Sequence, residues 1–312
     1  MAAIERSFTD RLKTWRRELR TVLVRGVVAL IRRQPATAVP RLRRLLRPAL
    51  TTVFAREIAR ARANVPREFA ANADAVVAGM IDNQVTHLLE VFLFESLARH
   101  HGPERFIRVH GRPHLDAALA AGRGAIILAA HFGGWELIGY WLATNGYPIH
   151  ALARPQAVDS MTRFMNGFRE ERGVQVLMSD SLAAAGRVLS GGALVGLLAD
   201  LDAKEHGLPA QFFGQAASFY PSPVLLSMRY RAPLLPTFIE RTRDGTHELR
   251  FEEPVRWEAG ETLPERVQKY ASRYEAAIRR RPDHWVWFHQ RYVGVTRLHA
   301  PTAGANDRSE SA

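Results

Sequence analysis

The sequence predicts an α/β fold: a mixed, mostly parallel sheet flanked by helices, with a basic helical region ahead of it. Three observations lead there. From residue 125 onward, short apolar runs alternate with helical patterns of about ten residues, the sign of crossover units and parallel strands. Two late apolar runs are joined by "RDGTH", a hairpin turn that adds an antiparallel pair. Finally, residues 1–62 hold 16 Lys and Arg against 4 Asp and Glu, whereas the remainder is balanced at 27 of each.

At the N-terminus, Phe8, Leu12, Trp15, Leu19, Val22, Leu23, Val27 and Leu30 recur at three- and four-residue steps, one face of a helix. Arg11, Lys13, Arg16, Arg17, Arg20 and Arg25 fill much of the remainder. A basic helix with Trp and Phe on its apolar face reads as lying in a membrane interface. A helix docked on its own domain with its arginines in water is the alternative. Pro35 and Pro40 are expected to interrupt helicity, and "RLRRLLRP" adds a second basic amphipathic patch. A wide apolar face over residues 72–99 predicts a long helix.

The alternation then runs "AIILAA" (125–130), a helix from 135, "IHALA" (149–153), a helix from about 159, "VQVLM" (174–178), a helix near 181–190 and "ALVGLLAD" (193–200). "SPVLLSMRY" reads as a helix, "LLPTFIER" and "HELRFEEPV" as strands, and the last helix runs from about 264 to 280, stopped by Pro282. The expected organisation is basic amphipathic helices over 1–62, the main domain over 63–298 and a polar, disordered tail over 299–312.

Composition removes several classes. The chain lacks cysteine, so disulfides and cysteine metal sites are out. It carries a formal charge of +12, and of 43 basic residues only Lys13, Lys204 and Lys269 are lysine. Arginine forks suit phosphate and carboxylate. No apolar run approaches the roughly 18 residues that cross a bilayer, and no signal peptide is convincing. There is no G-x-S-x-G, no H-E-x-x-H, no phosphate-binding G-x-x-x-x-G-K-[ST] and no nucleic-acid recognition motif.

The candidate chemistry starts at "AIILAAHFGGWE". His131 ends the first strong strand and Glu136 starts the next helix, at the edge of the sheet where ligands bind in such folds. Within one helix, five residues would set the two about 140° apart. With Gly133 and Gly134 turning the chain they can meet. A neutral imidazole takes a proton from a hydroxyl, and a carboxylate on its other nitrogen fixes its tautomer. Amides near Gly133 and Gly134 are expected to receive an oxyanion or a phosphate. The bland reading is a buried, helix-capping histidine followed by a first-turn acid.

Three later stretches join it. Arg154, at a strand end, and Arg169 and Arg172, near the end of the following helix, either hold phosphate or make surface ion pairs. Asp200 ends another apolar strand, as a site residue or a turn former, and "FFGQAA" reads as an apolar loop that lines a chain-binding cleft or simply packs. In "PDHWVWFHQRY", Trp285 and Trp287 beside His289 and Arg291 either anchor the domain at an interface or form a buried closing strand.

"HFGGWE", "ARP", "FREERG", "LLADLD", "FFGQAA", "PLLPTFIERTRDG" and "PDHWVWFHQRY" follow one another in an order that resembles the lipid A biosynthesis lauroyl/myristoyl acyltransferases, within the lysophospholipid acyltransferase group. The resemblance covers roughly residues 70–295 and implies a glycerolipid acyltransferase-like fold. It implies transfer of a fatty acyl chain from an acyl carrier protein or coenzyme A thioester to a hydroxyl of a membrane glycolipid such as a lipid A precursor. No metal or other cofactor is implied, and no nucleic-acid partner.

By the same resemblance His131 is the base and Glu136 its orienter. Arg169, with Arg172 beside it, and Asp200 position the acceptor headgroup or its phosphates. The chain would act peripherally, or as a monotopic protein, on the cytoplasmic face of a bacterial inner membrane. Many relatives instead carry a membrane-spanning N-terminal helix, and Leu201 in "DLD" stands where they often have an amide or histidine. Family members that acylate phosphatidylinositol mannosides keep another glycolipid, or a lysophospholipid, open as acceptor. A non-catalytic membrane-binding protein is the alternative of another class.

Overall fold

The computed structural model describes residues 21–153, 159–178 and 182–289. The N-terminal part comprises helix α1 (21–32), α2 (Val39–Val53) and α3 (Ala55–Asn64). Pro40 does not break a helix but stands in the first turn of α2, where a missing N–H costs nothing. The long α4 (Ala73–His101) buries residues on most of its faces because it has packed neighbours nearly all round. After it come α5 (Pro103–Phe106), β1 (Ile107–His110) and α6 (Arg112–Ala120), elements that the apolar pattern leaves unmarked because they are short.

The alternating part matches the sequence reading closely: β2 (Ala125–Ala129), α7 (Trp135–Thr144), β3 (Ile149–Ala153), α8 (Asp159–Glu170), β4 (Gln175–Met178), α9 (Leu182–Ser190) and β5 (Leu194–Leu198). A hairpin of β6 (Leu208–Phe212) and β7 (Gln215–Phe219) follows, then α10 (Ser222–Tyr230), β8 (Leu234–Arg241), β9 (His247–Phe251) and α11 (Leu263–Arg280). A reciprocal cap between Thr262 and Glu265 starts α11.

Seven strands form one sheet in the order β1-β9-β8-β2-β5-β3-β4. The five from β8 to β4 are mutually parallel, and the tight turn before β9 reverses β9 and β1. Every residue of β2 is buried, as expected of a central strand covered on both faces.

"FFGQAA" is not a cleft-lining loop. Phe213 and Gly214, both at positive φ, form the two-residue turn between β6 and β7, and Phe212 and Phe213 pack against Trp285 and Trp287 respectively. Those tryptophans are 2% and 1% exposed, so they belong to the core and not to an interface. Arg154, Arg291, residues 1–20 and the tail over 299–312 lie outside the described residues.

The described part of α1 docks on its own domain along one side and stays exposed along the other. Val28 and Ile31 bury themselves in the core shared with the sheet domain. Val22, Leu23, Val27 and Leu30 remain exposed, with Leu45, Val53 and Phe54 of the next helices and their join exposed as well. No described helix is long and apolar enough to cross a membrane.

Candidate active site

β2 and β5 are parallel neighbours in which Ala129 pairs with Leu198. Two residues beyond that pair stand His131 and Asp200, so the register itself sets them side by side at the carboxyl end of the sheet. The His131 Nδ1 lies 2.9 Å from Asp200 Oδ1, and the His131 backbone N–H donates to Asp200 Oδ2 at 2.9 Å. The Trp285 indole N–H donates to the same Oδ2 at 2.8 Å. Asp200 is 2% exposed. Burial works to raise its carboxyl pKa, but the His131 charge and these hydrogen bonds outweigh it and bring it down to about 2. Burial likewise works to lower the His131 pKa, and the Asp200 charge and hydrogen bond reverse that, so the ring titrates above the ordinary imidazole value.

The carboxylate bonded to the His131 ring is Asp200, where the sequence reading expects Glu136. The glycine turn does bring Glu136 into the same buried region, but its carboxylate faces Arg169. The Arg169 Nε–H and Nη2–H donate to its two oxygens at 2.9 and 2.5 Å. Burial raises the Glu136 pKa, and Arg169 more than offsets it, holding the group below the usual carboxylate range. Glu136 reaches His131 through its charge alone.

Arg169 also donates from Nη1 to Asn166 Oδ1 at 3.0 Å, so its guanidinium is held in place by Glu136 and Asn166. Arg172 is not a headgroup contact. Its side chain is 2% exposed, bonds the Phe168 carbonyl and Glu95, and lies 4.7 Å from the centre of the Tyr140 ring. A guanidinium less strongly hydrated than an ammonium accepts such a place.

Gly133 has φ of 58°, and a Cβ there would lie 1.8 Å from the Ile239 carbonyl oxygen, so only glycine fits. Its N–H donates to the His284 carbonyl at 2.9 Å, which removes it from the expected oxyanion donors. The amides of Phe132 and His131 are also taken. Those of Gly134, Trp135 and Glu136, which open α7, have no acceptor among the described residues.

One wall of the site escapes the motif-based reading. The His131 ring stands 5.3 Å from that of Trp135 and 5.9 Å from that of His289, an exposed residue at the rim. Asn64 of α3 donates to the carbonyls of Trp287 and His289, so the N-terminal helices border the site. The aromatic density of "WVWFH" was the available signal, but nothing local says that its indoles point inward.

A family model for the bacterial lipid A biosynthesis acyltransferases matches residues 8–293. The chain belongs to this family. Among curated relatives, the phosphatidylinositol mannoside acyltransferase of Mycobacterium tuberculosis is 30% identical over 174 residues, 54% of this chain and 55% of the relative. The protein of the same name from Mycolicibacterium smegmatis is 28% identical over 177 residues, 55% of this chain and 58% of the relative. The chain thus spans little more than half the length of the curated relatives it matches.

Proposed function

We propose that this chain is an O-acyltransferase that moves a fatty acyl group from an acyl carrier protein or coenzyme A thioester to a hydroxyl of a membrane glycolipid. The observation that carries the reading is the His131–Asp200 pair at the carboxyl end of the sheet. Asp200 takes the Nδ1 proton as a hydrogen bond and leaves Nε2 with its lone pair. The acceptor hydroxyl gives its proton to Nε2 as its oxygen attacks the thioester carbonyl. The charge that forms on the carbonyl oxygen is met by the free amides that open α7. Collapse breaks the C–S bond, and the departing thiolate takes the proton back from the imidazolium.

The membrane part of the reading rests on the exposed Val22, Leu23, Val27 and Leu30 and on the arginines of the same stretch of sequence, Arg25, Arg33, Arg41, Arg43 and Arg44. Such a surface binds the headgroup region of an anionic bilayer peripherally. Phe54, also exposed, stacks on Phe288 at 6.3 Å, one residue from His289 at the rim. Among glycolipid acceptors, the names of the mycobacterial relatives favour a phosphatidylinositol mannoside, and the family description favours a lipid A precursor. Lipid mass spectrometry of cells with and without the gene decides between them. One glycolipid species is expected to lose a single acyl chain, and an unchanged lipid profile would count against the function.

A further inference from the structure

The loop that carries His131 is crossed by the segment 282–287, which lies after α11. The His284 carbonyl accepts from the Gly133 N–H at 2.9 Å, and the Val286 N–H donates to the His131 carbonyl at 3.1 Å. Phe132 and Trp285 thereby form an isolated antiparallel bridge. The segment is held from behind: the Arg241 N–H donates to His284 Nε2 at 3.2 Å, and Asn83 donates to the Asp283 carbonyl at 2.9 Å. Arg241 is itself fixed by two 2.6 Å bonds to the buried Glu90.

From this brace a single side chain reaches the site carboxylate. Trp285 is 2% exposed and places its N–H 2.8 Å from Asp200 Oδ2, the oxygen that does not face the His131 ring. A carboxylate can rotate about its terminal bond. With Trp285 and the His131 backbone N–H both holding Oδ2, Oδ1 stays aimed at Nδ1. We propose that Trp285 is a positioning residue of the acyl-transfer site: it locks the Asp200 carboxylate and thereby fixes the tautomer and the basicity of His131. This rests on the functional reading given above and assigns Trp285 a part beyond filling the core.

The neighbouring Trp287 supplies the control. Its ring lies 4.6 Å from that of Trp285 and is as deeply buried, but its N–H donates to the Pro282 carbonyl at 2.8 Å. Trp285→Phe and Trp287→Phe lose similar packing, and only the first touches Asp200. The groups facing the ring are otherwise the same in both variants: Asp200, Glu136, Arg169 and His289. A carboxylate relieved of one donor is more basic and holds the imidazolium proton more firmly.

The test is the 15N-histidine NMR titration of the full-length protein and of both folded variants, with His131 assigned through His131→Gln, alongside kcat/KM against pH for thioester transfer. Wild type is expected to hold neutral His131 with its proton on Nδ1. Trp285→Phe is expected to mix the two tautomers, move the titration to higher pH and lose on the order of tenfold in kcat. Trp287→Phe is expected to do none of these. Two folded variants with the same tautomer, midpoint and kcat would overturn the proposal. If Trp285→Phe does not fold, 7-azatryptophan labelling in wild type replaces it, with Trp287→Phe as the labelled background. An unmoved His131 titration there also overturns the proposal. Wild type that transfers no acyl group would defeat the functional reading instead, while the ring titration still decides whether Trp285 sets the state of His131.

Discussion

With Asp200 on Nδ1, the His131 ring must reach a higher pH to lose its proton than a free imidazole does, because the carboxylate's attraction exceeds the opposing effect of burial. In the proposed mechanism the neutral ring is the base, so turnover falls as pH drops below the folded pKa and rises as pH passes through it. The acid limb of kcat/KM is expected above the ordinary imidazole range. Asp200→Asn removes the charge and should move that limb to lower pH, while reducing kcat about a hundredfold or more through the lost tautomer. A limb that stays in place would show that Asp200 does not set the ring.

Glu136 carries a different expectation. Glu136→Ala leaves the Arg169 guanidinium, 20% exposed, without its carboxylate. A loss of about 3 kcal/mol in urea unfolding is expected, with a smaller loss for Glu136→Gln, which keeps an acceptor. Equal stabilities would show that the pair is not what Glu136 is for.

At the level of elements, the turn from β2 to α7 depends on Gly133. Gly133→Ala combines a left-handed φ with a collision against the backbone of β8, and about 3 kcal/mol of destabilisation is expected by denaturant titration. Gly134→Ala meets the movable tip of Leu137 at 3.1 Å first and should cost about 1 kcal/mol. Most of the alternating strands and helices were legible because each carries its own apolar period. Strand adjacency was not. His131 and Asp200 are 69 positions apart, and the β2–β5 pairing brings them together, so the sequence points instead to the nearer acid, Glu136. The inward aim of Trp285 was hidden for the same reason, since its partner lies 85 positions away.

For the whole molecule, the proposed membrane contact and the proposed chemistry meet at the N-terminal helices: α1 offers an exposed apolar stripe, and α3 holds the backbone of the segment beside His131. Leu23→Glu and Leu30→Glu each place a charge on an already exposed position, so the circular dichroism spectrum should not change. Sedimentation with anionic vesicles should weaken by roughly tenfold per leucine replaced. Undiminished binding would detach the stripe from the membrane. The central claim is that His131, oriented by Asp200, is the base of an acyl transfer. Its most direct measurement is transfer of radiolabelled palmitate, from palmitoyl-coenzyme A or palmitoyl-acyl carrier protein, to a phosphatidylinositol mannoside and to a lipid A precursor by purified wild type and folded His131→Ala. The account predicts transfer to one acceptor by wild type and a loss of about a thousandfold or more in the variant. Equal rates in the two proteins would contradict it.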